Sequence, residues 1–154
     1  SSPKRFHRRK SRRRKRTSDQ MGAWGAGPFE NDDARDFVYS VEKSRDLGVL
    51  EASFEAALNA DVYLEAPQGA EVIASAEILA IVLGRTGEKV RYPDEIITWA
   101  AKTKTAPSPA LVAKALSALD AVLGESSELR ELWQDSDEFD TWKSGVDDVK
   151  RRLA

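Results

Sequence analysis

The chain has 154 residues, 41% hydrophobic and 32% charged, a composition that suits one soluble globular domain. Its formal net charge of −2 joins two unlike parts: residues 1–20 hold ten of the 24 basic residues and one of the 26 acidic ones, which leaves 14 basic against 25 acidic, a net of −11, in the remainder. Cysteine is absent and the one histidine, His7, lies in the basic part. This excludes disulfide frameworks, thiolate zinc sites, cysteine nucleophiles and Ser–His–Asp chemistry from the acidic part, so catalysis there would fall to carboxylates, Tyr or Lys, and any metal would be a hard cation bound through oxygen.

Taken in chain order, residues 1–20 contain Phe6 and no aliphatic side chain, with basic residues from Arg8 to Arg16 broken only by Ser11. Such a stretch has nothing to bury and is expected to be a disordered basic tail, separate from a helical domain over 21–154. No apolar run follows the arginines, which argues against a secretory or twin-arginine signal. As an arm, the tail would neutralise phosphates of a nucleic acid and release counterions. Against that stands the plainer reading that it is an upstream extension or remnant, Met21 opening a self-contained domain. A third reading has it fold back on its own acidic domain.

Met21–Gly27 is Gly-rich around Trp24 and leads to Pro28 and Phe29. A phosphate loop would need a preceding strand and a Lys-Ser/Thr ending, and neither is present. The loop is expected to tuck Trp24 and Phe29 against the core. Asn31 then caps a helix to about Ser44, with Asp32 and Asp33 at its positive end and Ala34, Phe37, Val38 and Val41 as its buried stripe. A second helix, about Val49 to Asn59, buries Leu50, Phe54, Ala57 and Leu58, and Asp61–Gly69 reads as a loop.

Ala70–Leu83 is the organising element. Its only polar side chains are Glu71, Ser75 and Glu77, and its apolar residues go nearly all the way round a helical wheel, the mark of a central buried helix. At about 1.5 Å per residue it spans roughly 21 Å, too short for a bilayer. Beyond Gly84, Pro93 opens a helix with Ile96, Trp99 and Ala100 on one face. Ser108 and Pro109 open another that runs to Gly124. A short helix covers about Glu128–Gln134, and a last one, about Asp137–Leu153, repeats Phe139, Trp142, Val146, Val149 and Leu153 at seam spacing. No stretch alternates with period two. The expected fold is all-α: a compact orthogonal or irregular bundle of about six to seven helices around 70–83.

Glu77 is the most informative polar residue, because a carboxylate on that face reaches the rim or is buried and must find partners. The structural reading pairs it with amides near Trp24 and Gly25 or with Arg35 or Arg45. The functional one gathers Asp33, Asp36, Glu65 and Glu77 (with Asp32 beside them) into a hard-cation site, which would support a metal-dependent hydrolase. Residue types favour the structural reading: no catalytic residue, cofactor or metal is expected, and no EF-hand spacing occurs. Of four tryptophans, Trp99, Trp133 and Trp142 lie at core spacing. Trp133 sits on a short helix among acids and is the candidate aromatic anchor for a partner, with Glu128, Glu131, Asp135 and Glu138 around it.

The opening MGAWGAGPFENDDARDFVYSV resembles the start of the domain-of-unknown-function (DUF) family number 4259. Tyr63-Leu64-Glu65-Ala66, Ala76-Glu77, Pro93 ahead of Trp99, and Ser127-Glu128-Leu129 running to Leu132-Trp133 are similar too. The resemblance covers 21–153 and implies a bacterial, cytoplasmic setting with no assigned activity. Together these features point to a non-enzymatic protein-interaction module, with an acidic surface for a basic protein partner, immunity-type in its most concrete form. The alternatives are the carboxylate-based hydrolase and, through residues 1–20 alone, nucleic-acid binding.

Overall fold

The computed structural model of the chain describes residues 22–154, so the expectations for the basic tail lie outside the described residues. Among those residues the chain forms seven helices: α1 (Asp32–Glu42), α2 (Gly48–Leu58), α3 (Ala66–Val82), α4 (Asp94–Lys102), α5 (Pro109–Val122), α6 (Glu128–Gln134) and α7 (Phe139–Leu153). They contain no strand, and extended pairing is confined to two isolated bridges, Ala23 with Asn31 and Leu64 with Ser127. None of the helices is long and apolar enough to cross a membrane.

The helices begin where short polar side chains satisfy orphan amides. Asn31 Oδ1 accepts from the Ala34 amide at 2.8 Å, and the Ser108 and Ser127 hydroxyls accept from Leu111 and Arg130 at 3.1 and 3.3 Å. At the end of α3, Gly84 adopts φ +75°, and the Arg85 and Gly84 amides fold back onto the carbonyls of Ala80 and Ile81. That pair of bonds is a Schellman stop, which a residue with a Cβ would strain.

The start of α3 corrects the sequence reading, in which 61–69 is a loop. Pro67 lies in the first turn, where its missing N–H leaves nothing unsatisfied. Gly69 is inside the helix and donates to the Glu65 carbonyl at 3.0 Å. A Cβ there would stand 3.3 Å from Leu129, so Gly69 lets α6 approach the α3 backbone. The two residues that look like breakers are a helix opener and a close-packing point.

α3 contacts each of the other six helices, and eleven of its 17 residues are buried. Val72, Ala74, Ala76, Ile78, Leu79 and Ala80 are fully inaccessible and join one continuous core cluster with Leu50, Phe54, Ile96, Leu119, Val146 and Leu153. Burying each large aliphatic side chain is worth about 1.5–3 kcal/mol, which secures this helix without help from amphipathic patterning. Its Ser75 meets Ser53 of α2 at 2.6 Å. Ser53 has one hydroxyl proton and donates it to the Leu50 carbonyl at 2.8 Å, so Ser75 is the donor between the two hydroxyls.

Candidate functional site

The Gly-rich segment forms a tight hairpin leading into α1. Trp24 N–H donates to the Glu30 carbonyl at 2.9 Å, Glu30 N–H to Gly27 at 3.2 Å, and Asp32 N–H to Gly22 at 3.0 Å. The Glu30 side chain folds into the hairpin and accepts from the Gly27 amide at 2.9 Å. A Cβ on Gly25 or Gly27 would stand 2.5 Å from the Glu30 Oε1 atom. The glycines therefore make room for an internal carboxylate, and that carboxylate fills the amide position an incoming anion would use.

The hairpin closes one side of a cavity of about 50 Å³ lined by Ala23, Ala26, Gly27, Pro28, Ala66, Ala70, Ile73, Leu129, Leu132, Trp133, Trp142, Gly145 and Val146, with Asn31 and Asp33 as its polar members. Trp133 and Trp142 stack within it, ring centroids 6.3 Å apart and 10° from parallel. Phe29 is buried as expected, but Trp24 is not: it is 54% exposed on the outer side of the hairpin. Trp133, the candidate anchor, is 4% exposed and takes the core place that its spacing gives it. The exposed aromatic is Trp24 and not Trp133, because the short α6 lies flat on α3 while the hairpin's interior is taken up by Glu30.

Asp33 has its carboxyl pushed up from the ordinary carboxylate range, first by partial burial and then by the charges of Asp36 and Asp32. Glu71 of α3, half-buried, is pushed up by burial and by the charge of Asp33. Asp36 and Glu71 in turn edge a second, more open concavity of about 350 Å³ between α1 and α2, with Phe37, Ser40, Val49, Ala52, Ser53 and Ala56. An acidic ridge thus separates a small apolar pocket from a wider groove. Like charges held this close repel one another and would gain from a cation laid over them.

Glu77 is fully buried and takes neither of the partners the sequence suggests. Arg152, from the far end of the chain, donates to Oε1 and Oε2 at 3.0 and 2.8 Å, and Tyr92 Oη donates to Oε1 at 2.8 Å. The Gly87 amide donates to Tyr92 Oη at 2.8 Å, and Arg152 also donates to Asp148 Oδ2 at 2.8 Å and the Arg85 carbonyl at 3.0 Å. Arg85 returns bonds to the carbonyls of Arg152 and Leu153, closing the network. Burial pushes the Tyr92 phenol up to about 12, helped by the Glu77 charge and opposed by the Gly87 amide. Burial alone would raise Asp148, but the hydrogen bonds and charges of Arg152 and Arg151 outweigh it and hold that carboxyl below its usual range. Arg152 is likewise held above its ordinary value: its bonds to Glu77 and Asp148 overcome the desolvation that would lower it.

The remaining sequence candidates are structural in part. Glu65 is the N-cap residue of α3, its amide facing Gln68 Oε1 at 3.4 Å. Glu128 Oε1 accepts from the Ala66 amide at 2.7 Å, and Glu131 accepts from Tyr63 Oη at 2.5 Å, which drives that phenol up to about 12. Glu138 precedes α7 and donates its amide to the Ser136 hydroxyl at 3.1 Å, and Asp135 is the C-cap of α6. Asp33, Asp36, Glu65 and Glu77 are not drawn into one set: no group of three or more His, Cys, Asp or Glu side chains among the described residues could hold a metal ion. Glu30, Tyr92 and Arg152 are the residues sequence reasoning missed. For Glu30 a signal exists, two glycines followed at short range by one acid; for Arg152, 75 positions from its partner, none does.

The architecture is that of an all-α protein in which a central apolar helix carries one buried ion pair and faces a Gly-rich hairpin across a small pocket. The profile of the family described as Domain of unknown function (DUF4259) matches residues 22–145, and the chain belongs to that family. Among the curated proteins and the solved structures, none matches this chain.

Proposed function

We propose that the protein is a non-enzymatic interaction module that engages a basic protein partner through the Trp24 hairpin and the acidic ridge beside it. The observation that carries this reading is Trp24, a large aromatic side chain 54% exposed on a hairpin tied down by backbone hydrogen bonds and a folded-in carboxylate. An aromatic on a rigid support contributes contact area at little entropic cost, and charge beside it steers a basic partner. The net charge of −11 outside residues 1–20 favours the same class of partner. An immunity-type role, masking a basic toxin, is one concrete form, and a bacterial cytoplasmic setting accords with it. The hydrolase alternative loses two of its four carboxylates to other work, Glu77 to Arg152 and Glu65 to the start of α3.

The test uses the full chain as bait in nuclease-treated lysate at low salt. A basic protein retained by the wild type, released by high salt and lost from Trp24→Ala supports the reading. A bait that retains no protein, or retains the same one after Trp24→Ala, overturns it.

A further inference from the structure

The groove between α1 and α2 lies across the acidic ridge from the pocket lined by Trp133 and Trp142, and its occupant can be argued without reference to the function proposed above. Its floor is apolar (Phe37, Val49, Ala52 and Ala56) and its edge carries Asp36 and Glu71. That combination fits an amphipathic cation: the methylene stem of Arg or Lys lies on apolar surface while its head meets a carboxylate. A neutral peptide would leave the two acids unanswered, and an acidic one would be repelled.

The chain supplies such a ligand at the right place. The described residues begin at Gly22, whose carbonyl accepts from the Asp32 amide at 3.0 Å, so the preceding segment enters at the first turn of α1. From Asp32 the groove residues Asp36 and Ser40 follow along the same helix, about 6 and 12 Å away at 1.5 Å per residue. The six Cα–Cα steps from Arg16 to Gly22 span up to roughly 20 Å, enough to carry the Arg8–Arg16 run back over that distance. A tether this short gives an effective concentration on the order of millimolar. Ten basic residues in 1–20 then face a remainder of net charge −11. Glu71, raised first by burial and then by the charge of Asp33, adds a reason, since a cation laid beside it offsets both.

We infer that the groove between α1 and α2 is the intramolecular docking site of the chain's own basic segment, Arg8–Arg16, with Asp36 and Glu71 receiving its cationic heads. The bound segment covers part of the acidic surface, so a basic partner or a polyanion must compete with it.

Two measurements on the full chain test this. First, a zero-length carbodiimide couples a lysine amine to an adjacent carboxylate as an amide, the carbodiimide leaving as its urea with the oxygen of the carboxylate. Monomeric product with Lys10 or Lys15 joined to Asp36 or Glu71, at a yield unchanged by dilution, is the expected result. Cross-links spread evenly over the acidic residues, or found only between two chains, would overturn the proposal. Second, trypsin should cut within Arg8–Arg16 more slowly in the wild type than in Asp36→Asn/Glu71→Gln at low salt, by roughly threefold to tenfold, the size two partly exposed ion pairs supply. High salt should abolish the difference, and a matched neutralisation of the exposed acids Glu88 and Asp94 (Glu88→Gln/Asp94→Asn) should behave as the wild type. Equal rates in the wild type and the groove variant, or equal loss of protection in the matched variant, would show that the groove is not the site.

Discussion

Arg152 grips both carboxylate oxygens of Glu77 across a sequence separation of 75, with Glu77 fully inaccessible and the Arg152 side chain 12% exposed. The pair anchors the last turn of α7 to the middle of α3, and Tyr92 brings the loop after α3 to the same point. Removing one partner strands the other charge in the interior, a loss of about 3–5 kcal/mol, whereas an apolar pair of similar volume is tolerated far better. Arg152→Ala should therefore destabilise by about that amount in urea unfolding. Glu77→Leu/Arg152→Leu together should cost less than Arg152→Ala alone, and Arg152→Lys should fall between, since an ammonium cannot reproduce the two parallel bonds.

The hairpin makes a different kind of prediction, because the atoms a new Cβ would meet belong to a side chain that can move. In Gly27→Ala the Glu30 carboxylate must leave, and the Gly27 amide bond goes with it, a loss of about 1 kcal/mol. The same substitution made in Glu30→Ala should cost almost nothing further. A double-mutant cycle by thermal melting reads the non-additivity directly.

Two tryptophans should separate stability from recognition. Trp133→Ala empties a core position stacked on Trp142 and should cost about 3–5 kcal/mol. Trp24→Ala should stay within about 0.5 kcal/mol of the wild type, as surface substitutions do. Acrylamide quenching gives an independent check: Trp24 should be the readily quenched fluorophore, and its loss should remove most of the accessible fraction.

The acidic ridge has a pH signature. Asp33 and Glu71 are raised in the folded chain, so the folded state holds their protons more tightly than the unfolded one. Their contribution is therefore most favourable below the ordinary carboxylate range and is lost as pH rises through the raised values. Glu71→Gln should stabilise the protein at neutral pH, by a screened increment of roughly 0.2–1 kcal/mol that shrinks with salt and vanishes under acid conditions. Melting temperatures against pH for wild type and variant settle the sign.

Much of the fold is legible because its determinants are local. Asn31, Ser108 with Pro109, and Ser127 each cap within three residues, and the largely apolar character of 70–83 requires enclosure on most sides. What escapes the sequence is what depends on distant chain. Arg35 and Arg45 are nearer Glu77 in sequence than Arg152 is, yet Arg152 is the residue the α3–α7 packing delivers. Likewise Gly69 looks like a breaker until α6 is seen against it, and Trp24 looks like a core residue until Glu30 is seen to fill the hairpin. The acidic ridge is legible as charge but not as a place, since Glu71 reaches Asp33 only through the contact of α1 with α3.

The bridge between Leu64 and Ser127 has a kinetic consequence. Leu64 donates to Ser126 at 2.8 Å and accepts from Glu128 at 2.9 Å, while the Glu128 side chain caps Ala66, so two helix beginnings 62 residues apart share one set of hydrogen bonds. Neither α3 nor α6 can fray from its leading end without the other. The amides of Leu64, Ala66 and Glu128 should exchange with solvent in a single opening event, as one cooperative unit joining the middle of the chain to its last third.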